Sequence, residues 1–258
     1  MMFPSRARVN RGRAGTCVQW LRLLMRTIVA GVVQLVGQRL VRAVCQAIVW
    51  LRLDARVEGM DNVPARGAVL IVARHYHHLY DGCLLLARCP RQPALLVALD
   101  WLETSAGRRM MERLCSLAGW PVVLRADALR ARGRSAYRQR EVAVYARRAL
   151  REGVALLLAG RPLIIFPEGY PNIDPAYTPK RGAEFLPFQP GYLTLARHAA
   201  RRSDAPVALV PAGLAYRRRG GRWQARLRFG APIFVTKYSD AAAIAATVET
   251  TVRTLSTW

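Results

Sequence analysis

Lysine is almost missing from this chain. Of 40 basic residues only Lys180 and Lys237 are lysines, so the net charge of +24 rests on arginine. Acidic side chains number 16, and none lies between Val18 and Leu53. This balance favours anionic partners: nucleic acid, an anionic membrane face or phosphorylated small molecules. Arginine's planar fork suits phosphate oxygens in particular. The five cysteines (Cys17, Cys45, Cys83, Cys89 and Cys115) form no CxxC pair and no zinc-like spacing with the histidines. Their odd number argues against a closed disulfide framework, so buried, reduced thiols are expected, as in a cytoplasmic protein. No metal or organic cofactor is indicated. Long apolar runs are also lacking: the longest uninterrupted one, Thr27 to Gln38, has 12 residues, and spanning a bilayer takes ~20. There is no internal repeat. With 52% apolar residues over 258 positions, the chain is neither disordered nor fibrous and can bury a large core.

The N-terminal region divides in two. Residues 1–16 read as a basic disordered tail carrying Arg6, Arg8, Arg11 and Arg13. Residues 17–53 read as an amphipathic helical segment that associates with a membrane. In it Gln34, Gln38, Arg42 and Gln46 recur every fourth position, beside Arg39. That spacing draws a polar stripe and leaves Leu35, Val36, Leu40, Val41, Val44, Ile48 and Val49 largely on the other face. Gly31 or Gly37 could divide it into two helices. A basic amphipathic helix of this kind suits the membrane interface, with Trp20 and Trp50 at its ends. A helix packed on the protein's own core would show the same pattern.

From residue 54 to 258 short Val-, Ile- and Leu-rich runs alternate with helix-length segments. Strands are expected at 68–73, 95–99, 120–124, 162–166, 207–212, 223–229 and 233–235. Helices are expected at 82–87, 105–118, 136–158, 190–201 and 241–255. Continuous apolar strands alternating with helices predict an α/β domain, a mixed and mostly parallel sheet covered by helices on both faces. Gly220-Gly221, between Arg219 and Arg222, predicts a hairpin between two late strands.

Three of the four histidines in the chain (His75, His77 and His78) directly follow the first of these strands, and Asp81 comes next. Histidine suits proton transfer near neutrality, and a carboxylate beside it fixes its tautomer. A solvated polar turn would have the same composition. Ligands of α/β sheets gather at the carboxyl ends of strands. Two further strand ends carry Arg125, with Arg130, Arg132 and Arg134 after it, and Phe166-Pro167-Glu168-Gly169. A base, a cationic patch and a glycine-bounded carboxylate on one rim suit a phosphorylated substrate with a reactive hydroxyl.

In this order and spacing the motifs resemble the lysophospholipid/glycerolipid acyltransferase family, of the 1-acyl-glycerol-3-phosphate acyltransferase type, over roughly Val57 to Trp258. Val57–Pro64 and the following strand look like the approach to the family's His-x-Ser-x-x-Asp motif. Phe166, Pro167, Glu168 and Gly169 match its third motif letter for letter, and Val210-Pro211 matches its fourth. Phe188–Gly191 and Gly230–Phe234 resemble further landmarks. The resemblance implies a His base with an Asp partner, and an acyl thioester (acyl-CoA or acyl carrier protein) as donor. It also implies a lysophospholipid or glycerol-phosphate acceptor, with its phosphate held by Arg125. Peripheral or monotopic attachment to the anionic cytoplasmic face of a membrane would follow, with no nucleic-acid partner. Two positions depart from the pattern. Where the family has four residues between His and Asp, His75 and Asp81 enclose five, and His77 and Asp81 three. Alignment from the strand selects His75 as base, while i, i+4 helix geometry would select His77. The third motif continues as Tyr170-Pro171-Asn172 in place of Thr/Ser-Arg, and Arg161, Lys180 or Arg181 could supply the missing cation.

Three other readings share some of these features. His77-x-x-x-Asp81-Gly82 echoes the HHxxxDG enzymes, acyltransferases acting on soluble acceptors. The charge alone would suit a nucleic-acid-binding protein, and the irregular His–Asp spacing an inactive acyltransferase fold.

Overall fold

The computed structural model describes residues 12–175, 177–203, 205–236 and 239–258. Its elements are α1 (Gly12–Arg52), β1 (Leu53–Glu58), β2 (Val69–Ala73), α2 (Tyr80–Arg88), β3 (Ala94–Leu95), β4 (Val97–Ala98), α3 (Ser105–Ala118), β5 (Val122–Val123), α4 (Ala126–Arg132), α5 (Val142–Leu158), β6 (Leu163–Ile165), α6 (Gly191–Ala200), β7 (Val207–Arg219), β8 (Arg222–Phe229), β9 (Ile233–Val235) and α7 (Ala241–Leu255).

Seven strands form one sheet in the order β1-β8-β7-β2-β6-β3, with β9 paired to β7, and β4 and β5 form a separate parallel pair. β2 lies parallel to both β6 and β7. All five of its residues are buried, because each face is covered. Val69, Ile71 and Ala73 share a core with Cys45 and Val49 of α1 and Leu84 and Leu85 of α2. Leu70 and Val72 join Val154 and Leu157 of α5, Tyr192 and Leu193 of α6, and Val248 and Val252 of α7. The expected mixed, mostly parallel sheet with helices on both faces is what forms. β7 and β8 make the expected antiparallel hairpin, with Arg219 opposite Arg222 across the two glycines.

Several expectations needed changing. The strand expected at 95–99 divides between β3 in the main sheet and β4, which pairs with β5 outside it. The helix expected from 136 begins at Val142. The chain adds an edge strand, β1, parallel to β8, and a short helix, α4, where only an arginine-rich stretch was seen. Elsewhere, boundaries fall where caps stand. α3 begins after Thr104, whose hydroxyl accepts from Gly107 N, and ends at Gly119, whose φ of 65° is left-handed. α7 starts at Asp240, which accepts from Ala242 N and Ala243 N.

Helix α1 runs unbroken, with no division at Gly31 or Gly37. Of the expected tail, residues 1–11 lie outside the described residues, and 12–16 are already helical. The orientation of α1 is the less expected result. Gln34, Gln38 and Arg42, most of the polar stripe, face the protein together with Val41, Cys45, Ile48 and Val49. Arg42 donates to the carbonyls of Ala87 and Cys89 at the end of α2 and to Gln92. Gly37 lies against the Leu117 carbonyl of α3. The outward side carries Val32, Leu35, Val36, Leu40 and Val44, each 49% exposed or more.

Candidate active site

The carboxyl ends of β2, β5 and β6 converge as the sequence predicted, and β2 delivers the histidine loop. His75 Nδ1 lies 2.9 Å from Asp81 Oδ2. A carboxylate can only accept, so in the neutral ring the proton sits on Nδ1 and the lone pair on Nε2. Among the described residues Nε2 has no hydrogen-bond partner, and the side chain is 15% exposed. Phe166 stacks on the imidazole, centroids 4.2 Å apart.

Asp81 has no solvent exposure, and its carboxylate is fully engaged. Oδ2 also accepts from the backbone N–H groups of Tyr76 (2.6 Å) and His77 (2.9 Å), while Oδ1 accepts from the Tyr216 hydroxyl (2.7 Å). Tyr216 comes from β7, 135 positions downstream. Burial, followed by the Asp81 charge, drives its phenol pKa well above the ordinary value, so it remains a donor. The five-residue gap between His75 and Asp81 is accommodated because three consecutive residues, 75 to 77, all turn toward one carboxylate.

His77 has a different place. It precedes α2, so the i, i+4 argument does not apply to it. Its Nδ1 accepts from the backbone N–H groups of Leu79 (3.2 Å) and Tyr80 (3.4 Å), capping the helix start. Its ring stacks between His78 and Tyr80. Burial, with His78 adding to it and Asp81 opposing, lowers its pKa from 6.5 to about 4.

Glu168 is a structural hub. Its Oε1 accepts from His75 N (2.8 Å), and its Oε2 from Leu186 N (3.0 Å) and Lys180 Nζ (2.6 Å). Lys180 also donates to the His75 carbonyl and to Asn172 Oδ1. Burial lowers the Lys180 pKa, with the Glu168 charge opposing. One of the chain's two lysines is thus a buried strut, and as such it does not replace the arginine missing from the third motif. Gly169 turns the chain at φ 75°, and its N–H donates to the Phe166 carbonyl. Pro167 holds the return of the loop by accepting from Gln189 N.

The fork of Arg125 is closed on a residue the sequence did not single out. Nε and Nη2 bind the two carboxylate oxygens of buried Asp100 at 3.0 and 2.7 Å, and Nη1 donates to the Gly169 carbonyl at 2.5 Å. That geometry makes Arg125 a tie between two rim loops and removes the bidentate edge expected to meet a phosphate. Asp100 and Tyr216 were missed because neither belongs to a motif; a lone aspartate and a strand tyrosine carry no local signal. Arg161 lies elsewhere, tied to the Ala118 and Gly119 carbonyls. It borders a cavity of about 740 Å³ between α1, α3 and α5 that none of the residues of the His75 site lines. Among the described residues no group of His, Cys, Asp and Glu is disposed to hold a metal ion. Cys45, Cys83, Cys89 and Cys115 are free and buried.

A family model described as Acyltransferase matches residues 54–214. Among six matching chains of solved structures is the 1-acyl-sn-glycerophosphate (LPA) acyltransferase PlsC from Thermotoga maritima. The two share 20% identity at a TM-score of 0.51, covering 90% of this chain and 81% of that one. No curated protein matches the sequence.

Proposed function

The chain belongs to the acyltransferase family, and from that premise we propose that it transfers a fatty acyl group from an acyl thioester to a hydroxyl of a lysophospholipid or glycerol-phosphate acceptor. The carrying observation is the held imidazole: Nδ1 fixed by a buried, fourfold-bonded aspartate and Nε2 left with its lone pair. In this reading Nε2 removes the acceptor's hydroxyl proton as that oxygen bonds to the thioester carbonyl carbon. The tetrahedral intermediate then expels the thiolate, which takes the proton back from the imidazolium. Asp81 orients the ring and stabilises its charged form. A positioned base contributes ~10²–10⁴-fold, so the remaining acceleration falls to binding and orientation.

The LPA acyltransferase named in the structural match, together with the third-motif identity, supports a phosphorylated glycerolipid as acceptor. Attachment to the anionic cytoplasmic face of a membrane is part of the same proposal. Its support is the outward side of α1, where Val32, Leu35, Val36, Leu40 and Val44 are exposed beside Arg39 and Gln46, an apolar surface with polar flanks that suits a lipid interface. By length and composition Gly31–Arg52 could cross a bilayer. Its C-terminal half is docked on α2 through Cys45, Val49 and Arg42, which favours a helix lying against the membrane.

The test is acyl transfer from labelled long-chain acyl-CoA, and from acyl carrier protein, to a panel of lyso-lipids. His75→Ala and Asp81→Ala are expected to lose activity by at least the general-base factor, ~10²-fold, while His77→Asn retains most of it. A wild type inert with every donor and acceptor, or a fully active His75→Ala, would refute the reading.

A further inference from the structure

Asp81 is held on one side by its own loop and on the other by a distant tyrosine. Its Oδ2 takes three donors, His75 Nδ1 and the backbone N–H groups of Tyr76 and His77. Its Oδ1 takes the Tyr216 hydroxyl at 2.7 Å and, among the described residues, no other donor. The second side-chain torsion of an aspartate is soft. Donors crowded on one oxygen therefore fix the plane of the carboxylate only while the other oxygen is held too. Asp81 has no solvent exposure, so water does not stand in for a missing donor there.

Tyr216 is placed by the way β2 and β7 continue past their ladder. The strands pair up to Ala73 and Ala212, and the next rung is Arg74 N donating to the Ala212 carbonyl at 3.1 Å. The buried Arg74 side chain then ties the two extensions together. Its Nη1 donates to the carbonyls of Leu214, two residues before Tyr216, and of Ser256, each at 3.1 Å. Its guanidinium lies 5.0 Å from the centre of the Tyr76 ring. Tyr76 stacks on Tyr216 with centroids 5.1 Å apart and planes at 17°, and Trp223 of β8 meets the Tyr216 ring edge-on at 6.1 Å. A phenol stacked on one neighbour and met by the edge of another has little room to swing away from Asp81. Burial, followed by the Asp81 charge, keeps that phenol protonated and hence a donor.

We propose that Tyr216 is a positioning residue for acyl transfer: its hydroxyl sets the Asp81 carboxylate so that Oδ2 meets His75 Nδ1, while Tyr76 and Arg74 hold the phenol in place. Tyr216 acts through Asp81 and not on the substrate. The kinetic part of the proposal rests on the acyl-transfer reading; the hold on the His75 ring does not.

The test uses the full chain with isotope-labelled histidine, whose four rings are read by proton–nitrogen spectra that show which ring nitrogen carries the proton. The His75 signal is the one missing from His75→Asn. Wild type is expected to show a neutral His75 ring protonated at Nδ1. Tyr216→Phe keeps both ring contacts and loses only the hydroxyl, and a second form protonated at Nε2 should appear. In acylation of a 1-acyl-glycerol 3-phosphate, kcat of Tyr216→Phe should fall about 10–100-fold, the range for one hydrogen bond to a charged group. KM for donor and acceptor should stay within about twofold of wild type. Tyr145→Phe is the comparison, because its hydroxyl also donates to a carboxylate, Glu112, in a cluster apart from the His75 site. Its kcat and His75 spectrum should match wild type. Tyr76→Leu removes the stack and leaves the hydroxyl, so kcat should fall by less and the second ring form should be weaker. Should Tyr216→Phe not fold, Tyr76→Leu decides by the same readouts. An unchanged His75 spectrum in Tyr216→Phe, or an unchanged kcat in an active enzyme, overturns the proposal. A changed spectrum in a protein that acylates nothing would sustain the tyrosine's hold on Asp81 while the acyl-transfer reading falls.

Discussion

At the scale of residues, the rim is built from charges buried against one another, and each makes its own prediction. Lys180 and Glu168 have side chains 2% and 0% exposed, so removing one partner leaves the other desolvated. Lys180→Met is expected to destabilise the protein by ~3–5 kcal/mol, whereas Lys180→Met with Glu168→Gln recovers part of that. Denaturant unfolding of the two variants measures the difference. His77 gives the pH dependence. Its folded pKa, about 4, lies below the 6.5 of the free side chain. Between those values the unfolded chain binds more protons, so stability is complete above ~6.5 and falls as pH drops toward ~4. Protonation would also remove the acceptor that caps α2. His77→Asn keeps a capping oxygen without titrating, and unfolding curves from pH 7 to 4.5 should show a flatter dependence for this variant. An unchanged slope would mean that another group drives the loss.

At the scale of elements, α1 has two faces with different tasks, and substitutions should separate them. Arg42 ties α1 to the end of α2 through two carbonyls and Gln92. Arg42→Ala should therefore lower stability by ~1–3 kcal/mol, the range for hydrogen bonds of a charged group. Leu40, 64% exposed, touches no core, so Leu40→Glu should leave the melting temperature nearly unchanged while weakening vesicle binding. Flotation assays on the two variants would show whether docking and membrane contact are separate. An equal loss of both properties in Leu40→Glu would place that face in the protein's own packing.

At the scale of the whole molecule, +24 charges on 258 residues predict association with anionic vesicles that weakens steeply between ~0.05 and ~0.5 M salt, because screening shortens the range of surface charge. Binding through the apolar face of α1 responds little to salt. Sedimentation with neutral and anionic vesicles across that range separates the two contributions. Retention on anionic vesicles that ignores salt would assign the attachment to α1 alone.

The sequence by itself determined the alternation of elements, because apolar runs and helical periodicity are local, and the boundaries of α3 and α7, because Thr104, Gly119 and Asp240 act within one turn. It also determined the order of the rim motifs. It did not decide which histidine pairs with Asp81, since that depends on the His75 ring and the backbone N–H groups of Tyr76 and His77 converging on one carboxylate. Nor could it show that Tyr216, 135 residues away, completes that carboxylate's bonding, or that Asp100 occupies Arg125. The outward face of α1 was equally hidden, because a polar stripe marks a face without saying whether water, lipid or protein lies against it. Those choices rest on contacts between distant segments, and only burial, which removes water as the alternative partner, makes them decisive.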